Sequence, residues 1–156
     1  MSDEPVIREA CPADEAVITE IASQAYAMYV PLMNMKPYPM LDDYKAHIRA
    51  GSAFVIESHG SVSGYVILII KNSSTLLLDN IAVLPTRQKA GYGRKLLEFA
   101  DRYAIERHMK KIILYTNKVM KENIGWYRKH GYVITHECEE MGYKRIFFKK
   151  TFPEQI

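Results

Sequence analysis

Apolar positions recur along this chain with two different periods, and the switches between them lay out the elements. Residues 6–10 read as a short first strand. Pro12 suits the first turn of a following helix, where its missing N–H costs little. Asp14 and Glu15 complement the positive end of that helix, and Val17, Ile18, Ile21 and Ala25 give it one apolar face. Pro31, Pro37 and Pro39 then forbid a regular helix, so residues 31–40 are expected as a loop rich in Tyr and Met. Leu41, Tyr44 and Ile48 mark a shorter amphipathic helix that Gly51 ends.

The pattern then changes to strands. Residues 53–58, 62–71 and 75–84 are three such runs, joined by His59–Gly60 and by Asn72–Ser73–Ser74. Short turns imply an antiparallel meander. The third run is nearly continuous in apolar residues from Leu76 to Val83, as in a central strand covered on both faces. Pro85 stops it, and a basic, glycine-containing loop follows over residues 86–93. A helix is expected over about 94–107, a strand over 111–116, a helix over 119–130 closed by Gly131, and strands over 132–136 and 144–152. Strand–helix–strand at residues 75–116 reads as a crossover between parallel strands. The expected fold class is α+β: one domain over residues 1–156, with a mixed, mostly antiparallel sheet of about seven strands and helices on both faces.

Composition narrows this picture. With 156 residues, 48% hydrophobic and 25% charged, the chain suits one globular core and excludes a disordered, coiled-coil or collagen-like protein. A net charge of +3 is too small to imply nucleic acid, though it allows a local anion site. Lys110–Lys111, Lys144–Arg145 and Lys149–Lys150 are short basic pairs, offset overall by acidic residues. Cys11 and Cys138 make neither a disulfide framework nor a zinc cluster, and the histidines lack metal spacing. Residues 1–10 lack the regions of a signal peptide, and the longest plainly apolar run, residues 65–70, falls far short of a bilayer span. The expectation is a cytoplasmic protein with no membrane and no nucleic-acid partner.

The segment Gln88-Lys-Ala-Gly-Tyr-Gly93 carries the first chemistry. Its glycines allow a sharp turn and close approach of backbone to a ligand, and the amides at the following helix start can face a phosphate. Arg87, Lys89, Arg94 and Lys95 add positive charge, so a pyrophosphate could be held without metal. Taken alone, the same glycines could simply shape a strand-to-helix turn. Leu96 occupies the place of a third Rossmann glycine, and no Gly-Lys-Ser/Thr P-loop follows.

Gln88-x-x-Gly91-x-Gly93 resembles the Gln/Arg-x-x-Gly-x-Gly/Ala signature of the GNAT N-acetyltransferase superfamily. Asn80-Ile-Ala-Val83 before it, Arg94-Lys-Leu-Leu97 after it and the order of elements resemble that family too. The resemblance implies acetyl-CoA as acyl-donor cosubstrate, with no metal. Its pyrophosphate would lie on Gln88, Lys89, Ala90, Gly91, Tyr92, Gly93 and Arg94. The pantetheine arm would pair with Ile81, Ala82 and Val83, and the Val83 amide would face the thioester oxygen.

Met120-Lys-Glu-Asn-Ile-Gly-Trp-Tyr-Arg-Lys-His-Gly-Tyr132 is similar to the family's late helix. There Tyr127 takes the place of a tyrosine beside the coenzyme sulfur, the general acid; without the resemblance it reads as a packed core aromatic. Met120 stands where many members have a cofactor-binding asparagine; Asn117 or Asn123, the latter one turn before Tyr127, is the candidate substitute contact, and Asn123 reads equally as a polar residue on an exposed helix face. Asp79 is the candidate base on the central strand, and equally a carboxylate bonded to backbone at a strand edge. Cys138 lacks the partners of a nucleophile, and His47, His59, His108 and His136 read as surface or turn residues.

The resemblance implies a small-molecule or peptide amine as acceptor, walled by residues 26–40 and about 137–145. Glu137, Glu139 and Glu140 there read as a solvated turn. The alternative function is a non-catalytic acyl-CoA-binding regulatory module on the same fold. An edge strand could support a homodimer.

Overall fold

A computed structural model describes residues 4–153. Seven strands form one mostly antiparallel sheet: β1 (Val6–Glu9), β2 (Ala53–Ser58), β3 (Ser61–Asn72), β4 (Thr75–Val83), β5 (Lys111–Asn117), β6 (Val133–Glu140) and β7 (Tyr143–Thr151). Their spatial order is β1-β2-β3-β4-β5-β7-β6. Five α-helices accompany them: α1 (Glu15–Tyr26), α2 (Val30–Met33), α3 (Tyr44–Arg49), α4 (Tyr92–Glu106) and α5 (Lys121–Lys129). The α+β class and the seven-stranded sheet are those the sequence predicts. The chain divides into two compact units, residues 1–68 with 80–99, and residues 69–79 with 100–156.

In the first unit, β1 pairs antiparallel with β2, and β2 with β3. His59 and Gly60 both have positive φ, 54° and 79°, so the β2–β3 connection is the two-residue turn whose twist matches its strands. Ile18, Ile21 and Ala22 of α1 are fully buried, as are Ala53, Val55 and Ile56 of β2 and Tyr65, Val66 and Ile67 of β3. Pro31 does not sit in a plain loop: it lies in the first turn of α2, where proline is tolerated, and Asn34 ends that helix in the left-handed region. Leu41 lies outside α3, which starts after Asp43, whose carboxylate accepts the Ala46 N–H at 3.1 Å.

In the second unit, β4 and β5 run parallel, with Thr75, Leu76 and Leu77 opposite Lys111, Ile112 and Ile113. β7 pairs antiparallel with both β5 and β6. The segment 137–140, expected as a solvated turn, is strand. Met141 and Gly142, with φ of 51° and 84°, make a second two-residue turn, so pairing runs up to Glu140 and Tyr143. β6 is exposed along nearly its whole length.

One ion pair ties the first strand to its neighbours. Arg8 donates to both carboxylate oxygens of Asp14, at 2.8 and 3.1 Å, and reaches Glu57 at 3.3 Å. Asp14 also accepts the Cys11 N–H at 2.8 Å. The Arg8 hydrogen bonds hold the buried Asp14 carboxyl at about 2, against the upward push of burial. A depressed folded pKa contributes stability that is complete above the ordinary carboxylate range and is lost as pH falls toward that value. Urea unfolding should therefore show about 1–2 kcal/mol lost on acidification toward pH 2, and Asp14→Asn should remove that part of the pH dependence. An unchanged acid limb in the variant would refute the assignment.

Candidate active site

In the first unit the candidate chemistry lies on one stretch of chain, from the end of β4 through a 3-10 turn (Pro85–Ala90) into α4. Asn80, Ile81, Ala82 and Val83 are all buried. The Leu84 N–H donates to the Ser63 carbonyl at 2.8 Å, so the alternating backbone groups of Leu84 and Ala82 face β3 and those of Val83 and Ile81 face away from it. Both carbonyls on that other side receive a side-chain donor. The Tyr26 phenol donates to Ile81 at 2.8 Å, and the Gln88 amide to Val83 at 3.3 Å. Each carbonyl has two lone pairs and keeps acceptor capacity.

Two glycines position this stretch. A Cβ on Gly64 of β3 would lie 2.9 Å from the Ala82 carbonyl oxygen, so only glycine lets β3 approach there. Gly91 has φ of +80° and links the turn to α4. A Cβ on it would meet nothing nearer than the Arg94 guanidinium at 4.0 Å, which leaves open room over the helix start. Helix α4 begins at Tyr92 rather than Arg94, and its first internal bond runs from the Lys95 N–H to the Gly91 carbonyl at 3.1 Å. The amides of Tyr92, Gly93 and Arg94 therefore precede any intrahelical partner, at the positive end of a 15-residue helix. Arg87, Gln88, Ala90 and Arg94 are exposed around them, and Arg94 also reaches Glu98 at 3.8 Å. Open backbone, the amides of a helix start and exposed guanidiniums suit a diphosphate. The Tyr92 side chain is not part of that surface: it is buried, with its hydroxyl 2.8 Å from Ser58 Oγ, so only its backbone faces the anion end. The side chain of Lys89 lies outside the described residues.

The same unit holds a polar cluster that the sequence did not single out. Asp42 Oδ2 accepts from His47 Nε2 at 2.9 Å and from Asn80 Nδ2 at 3.3 Å. Asn80 Nδ2 also reaches the Tyr44 hydroxyl at 3.1 Å, which lies 3.0 Å from that of Tyr65. His47 is thus no surface histidine: its side chain is 17% exposed and that of Asp42 is 7% exposed. Burial, with Tyr44 beside it, pushes the Tyr65 phenol well above its ordinary range. His59 and His108 are turn residues with positive φ, and His136 is exposed, stacked on Phe147 at 4.4 Å.

In the second unit, Tyr127 of α5 is buried, its ring against Trp126, Tyr132 and Phe148 at 5.3, 5.9 and 5.8 Å. Met120 is buried just before α5. Its sulfur accepts from Thr116 Oγ1 at 3.5 Å and from Asn123 Nδ2 at 3.6 Å, so the amide expected at a cofactor is turned to the methionine. Asp79 is half-buried on β4. Cys138 donates to Glu140 at 3.2 Å, and that carboxylate pushes its thiol up, the reverse of an activated nucleophile. Arg145 is buried, bonded to Glu140 at 2.7 Å beneath the rings of Tyr115 and Tyr143.

Residues 49–134 match the model of the acetyltransferase (GNAT) domain. The chain belongs to that family. A "Probable N-acetyltransferase 14" from Xenopus tropicalis is 30% identical over 73 residues, covering 47% of this chain. The chain spans about a third of that relative's length, 35%. Among solved structures, Ard1 from Thermoplasma volcanium has a similar fold, with a TM-score of 0.77 at 21% identity over 96% of this chain and 99% of that one. A putative acetyltransferase, yncA of Salmonella typhimurium, solved with acetyl-CoA, gives 0.73 at 20% identity over 98% and 96%.

The two glycines should respond differently to a methyl group. Gly64→Ala presses on backbone and should cost about 1–3 kcal/mol in urea unfolding. Gly91→Ala meets open space and should cost about 1 kcal/mol through its positive φ alone. Equal stability of the Gly64→Ala variant and the wild type would contradict the close approach of β3 to Ala82.

Proposed function

We propose that this protein transfers an acetyl group from acetyl-CoA to a primary amine of a small molecule or peptide, by direct attack in a ternary complex. The carrying observation is the β4–Gly91–α4 stretch, built for a diphosphate in a chain of the GNAT family. Gln88, Lys89, Ala90, Gly91, Tyr92, Gly93 and Arg94 hold the pyrophosphate, mainly through backbone amides. Ile81, Ala82 and Val83 hold the pantetheine arm. Gln88 and Tyr26 share the Val83 and Ile81 carbonyls with it through their second lone pairs.

Alignment of amine and thioester supplies much of the rate. The amine nitrogen bonds to the thioester carbon, whose oxygen takes up charge opposite the Val83 amide. The C–S bond then breaks, and Tyr127 gives its proton to the leaving thiolate. A base must also take a proton from the amine; Asp79 is one candidate. Asn123 is a weaker cofactor contact in this reading, since its amide serves Met120. The reading includes a cytoplasmic location, resting on the low cysteine content, Cys11 and Cys138 alone.

The rival is a module that binds acyl-CoA without turnover, favoured by the buried Met120 and the turned Asn123. Calorimetry with acetyl-CoA, against dephospho-coenzyme A and adenosine, should give saturable binding. Thiol release with an amine panel then separates enzyme from module. Tyr127→Phe should lower kcat by about 10²-fold and leave acetyl-CoA binding unchanged. Unchanged turnover across pH in that variant would remove Tyr127 as the acid.

A further inference from the structure

We infer that this protein binds a buried water molecule between Asp101 of α4 and Tyr132, at the corner where α5 gives way to β6; the inference is independent of the acetyl-transfer reading. The first argument is a pair of buried polar atoms in the second unit. Asp101 Oδ1 and the Tyr132 hydroxyl are both shut off from solvent, and neither has a hydrogen-bond partner among the described residues. Native interiors leave few such atoms, because each gives up the bonds it made in water. The two groups are neighbours: Lys150 Nζ lies 2.7 Å from Asp101 Oδ2 and 5.8 Å from the centre of the Tyr132 ring. They do not bond to each other, so a single bridging molecule is what satisfies both.

The second argument is the chemistry of the two atoms, which selects the ligand. A carboxylate oxygen only accepts, while a phenol donates and accepts. The bridge must therefore donate to Asp101 and pair with the Tyr132 hydroxyl in either sense. Lys150 already sets a positive charge against Asp101, so a bound cation would face an ammonium and a bound anion a carboxylate. A small neutral molecule that donates and accepts is left, and water is the one that buried polar sites retain. Burial above all, then Asp101 and Tyr127, pushes the Tyr132 phenol well above its ordinary range, so it keeps its proton at physiological pH.

The third argument is that the surroundings hold both groups in place. Lys150 passes Gly131 so closely that a Cβ there would lie 3.2 Å from its Cε, and Gly131 has φ of +96°. Glycine at 131 thus lets the ammonium reach Asp101 as well as ending α5. Tyr132 is 2% exposed, and its N–H donates to the Tyr127 carbonyl at 3.1 Å. Its ring meets that of Tyr127 edge-on at 5.9 Å. The bridge therefore links Asp101 of α4, and through it Lys150 of β7, to the backbone turn that closes α5. It fixes at its far end the ring against which Tyr127 packs.

The test joins a high-resolution crystal structure of the full chain to a double-mutant cycle in urea unfolding. The crystal should show one solvent peak within about 2.6–3.2 Å of both Asp101 Oδ1 and the Tyr132 hydroxyl. Tyr132→Phe should lower the urea midpoint by about 0.5 M, because the water loses a partner. Removing a hydroxyl that truly bonds to nothing would raise the midpoint instead. In an Asp101→Ala background the same Tyr132→Phe change should shift the midpoint clearly less, and the cycle cancels the separate loss of the Lys150 pair. A dry gap or a direct Asp101–Tyr132 bond in the crystal overturns the inference. So does a midpoint that rises in Tyr132→Phe, or strict additivity of the two changes.

Discussion

The buried end of β4 must satisfy its backbone, and the first unit is arranged around that obligation. Each strand residue presents one N–H and one carbonyl, and burial without partners is costly. Toward β3 the bonds are those of a sheet, allowed to close by Gly64, which keeps a methyl group out of the 2.9 Å approach to Ala82. Away from β3 the partners come from elsewhere: the phenol of Tyr26 at the end of α1 and the amide of Gln88 in the following turn. These bonds fix a helix end and a turn to the strand that the family resemblance singles out. Gln88 thus belongs to the architecture of the turn as well as to the proposed ligand surface.

The polar cluster on Asn80 follows from the same constraint. A buried amide on a central strand must find partners, and the Asn80 NH₂ finds two acceptors, Asp42 and Tyr44, in the segment after α2, while its Oδ1 stays buried without a donor. Residues 42 and 44, which follow the proline-rich stretch, are therefore tied to β4 by the Asn80 side chain.

In the second unit the chemistry expected of α5 is partly redirected by packing. Met120, where the family resemblance leads one to expect a polar residue, is buried and draws Asn123 to its sulfur. Tyr127 sits among aromatic rings, the environment that both the packed-core and the general-acid readings anticipated. Its role is a matter of chemistry to be measured, while its placement is common to both.

The sequence by itself determined the strand and helix order, the two parallel strands and the glycine turn at residue 91. These signals are local: hydrophobic period, proline exclusion and the positive φ that glycine permits. It also showed the family through Gln88, Gly91 and Gly93. Its boundaries failed where turn chemistry was decisive, as at Met141–Gly142, where a two-residue turn lets the charged 137–140 segment continue as strand. Tertiary structure alone decided that Tyr92 faces inward to Ser58, that Tyr26 and Gln88 cap β4, and that Asp42 meets both His47 and Asn80. Three of these contacts join residues tens of positions apart, and no local period encodes which distant donor a buried carbonyl or carboxylate will find. Even the short-range pair, Asp42 and His47, reads as solvated surface until Asn80 arrives from β4 to help bury it.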